Sequence, residues 1–176
     1  MISTLLASNP QLAKLLLALA LLLCLALGTA LVFSKRNHRR SLLALTGLSL
    51  LGVLALTLIP SGRITANPKF CSFDVIVPSA IGIEPLANIA LFIPLALFGG
   101  LAFRRPLLAG IAAILLSVCI EIAQGALPFL GRACDLQDLL TNAVGAIVGT
   151  VLALAIVLLH RQMTQRSREP RDSTTR

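Results

Sequence analysis

Residues 12–33 read LAKLLLALALLLCLALGTALVF, and the chain continues as SKRNHRR. Lys14 is the only charge in the apolar stretch, whose length matches the roughly 20 residues that carry a helix across a bilayer core. In lipid such a segment must be helical, because the helix satisfies every backbone group within itself. The basic run that follows marks the exit from the membrane. The same pattern recurs at residues 42–59, 86–103, 107–127 and 139–159.

Composition agrees with five crossings. The 176 residues are 57% hydrophobic and 12% charged, and the mean hydropathy is +0.92. A soluble domain is nearer half apolar and a quarter charged, so an ordinary soluble fold is excluded. The expected fold class is all-α, a polytopic transmembrane helical bundle with five spans. Its parts are two amino-terminal helices in 1–60, a loop in 61–84, a three-helix region within 74–159, and a basic tail at 160–176.

The net charge of +8 reads as topology once its residues are placed. Lys35, Arg36, Arg39 and Arg40 follow the first span. Arg104 and Arg105 join the third span to the fourth. Arg161, Arg166, Arg168, Arg171 and Arg176 follow the fifth. All fall on one side, which the positive-inside rule makes cytoplasmic. The amino terminus is then outside and the carboxyl terminus inside. The opposite side holds Arg63, Lys69 and Arg132, with Lys14 able to snorkel to it. Most of the acids, Asp74, Glu84, Glu121, Asp135 and Asp138, lie there too.

The first span is expected to be retained rather than cleaved. It is too long for a signal-peptide core, lacks a basic start, and shows no small-residue cleavage site before the basic run. The basic clusters abut the spans and have no interleaved aromatics, so nucleic-acid binding is not expected. The tail from His160, which carries Pro170, reads as disordered. The loop, with Phe70, Phe73, Val75, Ile76 and Val77, reads as an interfacial linker or a lid. With no Trp and no Tyr, the usual aromatic belt is absent.

The last three spans carry the polar residues, all near the acidic side. Ser117, Glu121 and Gln124 are spaced four and three apart and share a helix face. Asp138, Asn142, Gly145 and Gly149 do the same on the next span, and Asn88, Leu95 and Gly99 on the third. Gly145 and Gly149 have the small-xxx-small spacing that lets helices approach closely. Pro94 frees the carbonyl of Ala90 and is expected to open space near Asn88. Structural roles stand beside these readings: Asp135 as a helix N-cap, Asp138 as a first-turn acid suited to the helix dipole, and Asn88 and Asn142 as interhelical partners. Glu121 is about 9 Å below the membrane boundary at 1.5 Å per residue. An ionised carboxylate there is costly, so it should be protonated or paired, with Arg132 the nearest candidate partner.

Three motifs carry a resemblance. The run from Glu84 through Asn88 and Pro94 to Leu95 resembles the opening motif of the VanZ-like family of bacterial membrane proteins. Glu121-Ile-Ala-Gln124 is similar to its second motif. Arg132, Asp135, Asp138, Asn142 and Gly145 match the spacing of its third. Where the family opens with an Asp-Lys-hydrophobic-His segment, this chain has Glu84 and no histidine, so no histidine base is carried over. The resemblance implies a multi-pass protein of the bacterial cytoplasmic membrane. It also implies a link to lowered teicoplanin susceptibility, and it supplies no mechanism.

Cys71 and Cys134 both fall in outer connections and are candidates for a disulfide, provided their Cα atoms come within roughly 4.4–6.8 Å. Cys24 and Cys119 lie within spans. No cysteine pair has zinc spacing and both histidines, His38 and His160, flank the basic ends, so neither metal nor cofactor is expected. Three readings of function remain open. In the first, Asn88, Glu121, Gln124, Arg132, Asp135, Asp138 and Asn142 bind an extracytoplasmic ligand, either a lipid-linked envelope precursor or a glycopeptide-related molecule. In the second, an intramembrane enzyme acts on a lipid-linked substrate with Glu121 as acid and Asp138 as base. It is less favoured because no nucleophile is apparent. In the third, the stripe only locks helices or mediates assembly through Gly145 and Gly149. The oligomeric state is not readable, and membrane lipid is the one partner composition demands.

Overall fold

The structure is a computed structural model and describes residues 9–34, 38–60, 71–72 and 83–166. Lys35, Arg36, Arg63, Lys69, most of the 61–84 loop with its Phe and Val residues, and the tail beyond Arg166 lie outside the described residues. Five helices are long and apolar enough to cross a membrane. They are α1 (Pro10–Phe33), α2 (Arg39–Leu58), α3 (Ile83–Phe103), α4 (Pro106–Ala126) and α5 (Leu136–Arg166). A two-residue strand, β1 (Cys71–Ser72), pairs in parallel with β2 (Cys134–Asp135).

Helix starts follow local chemistry. Pro10 and Pro106 occupy the first turns of α1 and α4, where the missing N–H costs nothing and the fixed φ suits the helix. Between α3 and α4 only Arg104 and Arg105 intervene, and Arg104 has φ 54°. That left-handed turn costs a non-glycine residue roughly 1–2 kcal/mol, and it reverses the chain within two residues. Pro94 sits inside α3, which continues past it to Phe103.

The fifth helix is longer than the apolar pattern alone defines. It runs through His160 to Arg166, so the expectation of a disordered tail fails over those residues. The segment contains no glycine or proline to stop it, and Thr164 Oγ1 donates to the carbonyl of His160 at 2.8 Å.

Helix α3 is the hub. Its best apolar window is 61% buried, against 6% for α1, and it packs on α1, α2, α4 and α5. Phe92, Ala96 and Leu97 form the centre of this packing. Leu15, Leu19, Leu22 and Leu23 of α1 stay exposed, as a lipid-facing helix requires.

The tightest approach is between α3 and α5. A Cβ at Gly145 would overlap the carbonyl oxygen of Ile89, and one at Gly149 that of Ile93. On the other side of α5, Gly110 of α4 leaves room for the Thr150 hydroxyl. Six of the described bases, Arg39, Arg40, Arg104, Arg105, Arg161 and Arg166, lie at one end of the bundle, whereas Lys14 and Arg132 lie toward the other. The described acids Glu84, Glu121, Asp135 and Asp138 sit at the other.

Candidate functional site

At the acidic end the last turn of α2 and the adjoining ends of α3, α4 and α5 enclose a cavity of about 210 Å³. Asn88, Glu121, Gln124, Arg132, Asp138 and Asn142 all line it, together with Leu56, Thr57, Ala87 and Leu91. Helical spacing brings this about. Glu121 and Gln124 project from one face of α4, Asp138 and Asn142 from one face of α5, and Asn88 from the first turns of α3.

Side-chain contacts cross between helices. Asn88 Nδ2 donates to Asp138 Oδ1 at 2.7 Å, joining α3 to α5. Asn142 Nδ2 donates to Ser117 Oγ at 3.0 Å, joining α5 to α4. Gln124 Nε2 donates to the carbonyl of Thr57 at 2.9 Å, and an Arg132 terminal nitrogen donates to the carbonyl of Leu56 at 3.2 Å.

Glu121 does not find the partner its sequence neighbourhood suggests. Its Oε2 accepts the backbone N–H of Asp135 at 2.9 Å, and no ion pair joins it to Arg132 among the described residues. The connection after α4 folds back so that the start of α5 lies over the end of α4, which gives the carboxylate a backbone donor. Glu121 is 4% exposed.

Asp135 stands apart from the cavity lining. It precedes the first residue of α5, and its Oδ1 accepts the N–H of Gln137 at 2.8 Å. That contact satisfies one of the orphan donors of the helix start. Asp135 thus orders the site through its backbone while its carboxylate caps the helix. The preceding residue, Cys134, is disulfide-bonded to Cys71, with Cα atoms 4.4 Å apart. The bond fixes the entry to α5 and one edge of the site.

Two polar atoms of the lining have no partner among the described residues: Arg132 Nε and Asn142 Oδ1. Asn142 is 3% exposed. An unsatisfied buried polar atom costs about 1–3 kcal/mol, so both atoms favour an occupant of the cavity. In chemical terms Asn142 Oδ1 can accept a hydrogen bond and Arg132 Nε can donate one. Glu121 and Asp138 add carboxyl groups facing the same space.

The contribution of α2 was not legible in the sequence. Residues 42–59 offer little side-chain chemistry, yet the α2 carbonyls at Leu56 and Thr57 hold Gln124 and Arg132. The last four carbonyls of any helix lack intrahelical donors. A span ending at the depth of a polar stripe is therefore a row of acceptors, whatever its side chains. Among the described residues, no three His, Cys, Asp or Glu side chains gather as metal ligands.

A family model described as VanZ/LLP1 matches residues 13–159 of the chain. Neither the curated proteins nor the solved structures provide a match.

Proposed function

The chain belongs to the VanZ-like family, and from that premise we propose that it is a cell-envelope membrane protein that receives the polar head of a lipid-linked or peptidoglycan-related ligand. The site is the cavity lined by Asn88, Glu121, Gln124, Arg132, Asp138 and Asn142. With the basic end taken as cytoplasmic by the positive-inside rule, the proposed site opens to the extracytoplasmic face, and the resemblance supports the bacterial cytoplasmic membrane as the location. Through this ligand the protein affects glycopeptide susceptibility, teicoplanin included.

The observation that carries the proposal is the pair of buried atoms Arg132 Nε and Asn142 Oδ1, in one cavity and without a partner among the described residues. A carbonyl or phosphate oxygen suits the arginine, and a hydroxyl or amide N–H suits the asparagine. Size narrows the choice. About 210 Å³ is below the range of about 300–1,000 Å³ for drug-sized ligands. It admits a single sugar or peptide unit, and an entire glycopeptide is too large. The remainder of the ligand would lie outside, in the membrane or the periplasmic space.

The test replaces Glu121, Arg132 and Asp138 individually with Ala and reads glycopeptide susceptibility beside membrane abundance. Lost phenotype at normal abundance is expected, and an unchanged phenotype in properly inserted variants overturns the site.

A second reading is favoured by one observation, that the Glu121 and Asp138 carboxyl groups face one cavity. Two carboxyl groups in different settings can divide acid and base roles on a lipid-linked substrate. Turnover of envelope lipid intermediates by the purified protein, abolished in Glu121→Gln, would place this reading first. A purely structural stripe instead predicts that abundance and phenotype fall together.

A further inference from the structure

The face of α3 that carries Asn88 and Leu91 into the polar cavity continues, at helical spacing, through Leu95 and Gly99 to Phe103. These three line a second cavity, of about 560 Å³, between α2 and α4. Thr46 and Leu50 of α2 form one wall, and Leu108, Ala112 and Leu116 of α4 the other. We infer that this cleft holds a single long hydrocarbon chain, the tail of an amphiphile whose polar head occupies the cavity at the acidic end. This rests on the ligand proposed above and adds the class of its membrane part.

The lining suits hydrocarbon. Gly99, Ala109, Ala112 and Ala113 are too small to close the space between α2 and α4. Thr46 donates its hydroxyl to the carbonyl of Leu42 at 2.8 Å, and its methyl is the group that approaches Gly99, 3.6 Å from where a Cβ would stand. The one charged residue of the lining, Arg105, immediately precedes α4 at the basic end. A void among spanning helices forfeits dispersion contacts, which a flexible chain restores.

Continuity with the polar cavity decides which chain. At the acidic end Gln124 ties α4 to the Thr57 carbonyl of α2. Between the two cavities lie buried Val53, Phe92 and Ile120, with half-buried Leu54, Leu91 and Leu116 packed against them. An apolar strip thus leads from the polar cavity to the cleft. Depth then sets the length of the chain. At 1.5 Å per residue, Leu95 lies about 10 Å and Phe103 about 22 Å below Asn88. Half of a hydrocarbon core roughly 30 Å thick is about 15 Å, so the cleft carries a chain past the midplane, where an outer-leaflet phospholipid tail ends.

The test places the full chain in phosphatidylcholine nanodiscs with a docosyl N-acetylglucosaminide that bears a diazirine at the far end of its chain. Photolabelled residues are mapped by mass spectrometry. In a second arm the diazirine is carried by an acyl chain of the phosphatidylcholine. The glycoside should label the deep end of the cleft, at Phe103 and Leu108, and the phospholipid the exposed Leu115 and Ile122 outside it. Ala112→Trp should cut cleft labelling roughly ten-fold, which corresponds to about two displaced methylenes. Ile111→Trp, at an exposed position outside the lining, should leave it unchanged. If Ala112→Trp does not insert, Ala112→Leu reads the same effect. Asn142→Ala, or Arg132→Lys if that variant does not insert, should lower glycoside retention. Retention that falls in the head-cavity variant while the cleft stays unlabelled would overturn this inference and leave the head site standing. No retention by the parent protein would overturn both. Equal cleft labelling by the two probes would assign the cleft to bulk lipid, and an unlabelled cleft with a dimer abolished by Ala112→Trp would assign it to a second copy; either result overturns the inference.

Discussion

Asn88 and Asp138, fifty positions apart in sequence, share a 2.7 Å hydrogen bond that ties the start of α3 to the start of α5. A carboxylate oxygen accepting an amide N–H within a half-buried interface is a charge-assisted contact when ionised and a neutral one when protonated. In either state it couples the two helices at the cavity. A double-mutant cycle with Asn88→Ala and Asp138→Ala should give a coupling of about 1 kcal/mol, measured by reversible unfolding in mixed micelles. Additive effects would mean that the two residues act separately.

Close approach of α3 and α5 depends on two missing side chains. In Gly145→Ala and Gly149→Ala the added methyl meets backbone carbonyls of Ile89 and Ile93, which cannot rotate away as a side chain can. Each variant should lose roughly 1–3 kcal/mol and fall in membrane abundance. Gly47→Ala and Gly52→Ala are the controls, because nothing lies within 4 Å of a Cβ at either position. Those two should unfold within about 0.5 kcal/mol of the parent.

The disulfide makes a countable prediction. Cys71 and Cys134 are bonded, whereas Cys24 and Cys119 are free. Unfolding without reductant should expose two thiols to maleimide, and prior reduction should expose all four. The bond also bears on orientation, because disulfides persist in oxidising compartments. If the acidic end faces outward, the pair should be oxidised in intact cells. A carboxyl-terminal reporter should then be active only in the cytoplasm. An active reporter outside would reverse the assignment of the cavity to the extracytoplasmic face.

The spans were legible because lipid leaves a backbone one solution, so length and apolarity suffice. The shared depth of Glu121, Gln124, Asp138 and Asn142 was legible from spacings of three and four residues. Partner choice was not. Glu121 has an arginine eleven residues away in sequence, yet a backbone N–H reaches it first, and only the path of the connecting loop decides that. The share of α2 in the site was hidden for a related reason. Backbone carbonyls carry no sequence signature, and Leu56 and Thr57 contribute through theirs. The extension of α5 to Arg166 was masked by polarity, which marks exit from the membrane and does not stop a helix.

Arg132 separates a binding role from a structural one. Its terminal nitrogen holds the Leu56 carbonyl, and its Nε stands buried beside the cavity with no partner among the described residues. Lysine preserves the charge and can reach a single acceptor, but it has no second donor in a fixed fork. If Nε serves a ligand, Arg132→Lys should keep the α2 contact and normal membrane abundance while reducing the susceptibility phenotype. Loss of one charge-assisted hydrogen bond corresponds to about 1.5–3 kcal/mol, or roughly ten-fold or more in ligand affinity. Gln124→Ala, which removes both a helix tie to Thr57 and a side chain of the cavity lining, should lower stability and phenotype together. A full phenotype in Arg132→Lys would show that charge alone suffices and that the unpartnered Nε is not a ligand contact.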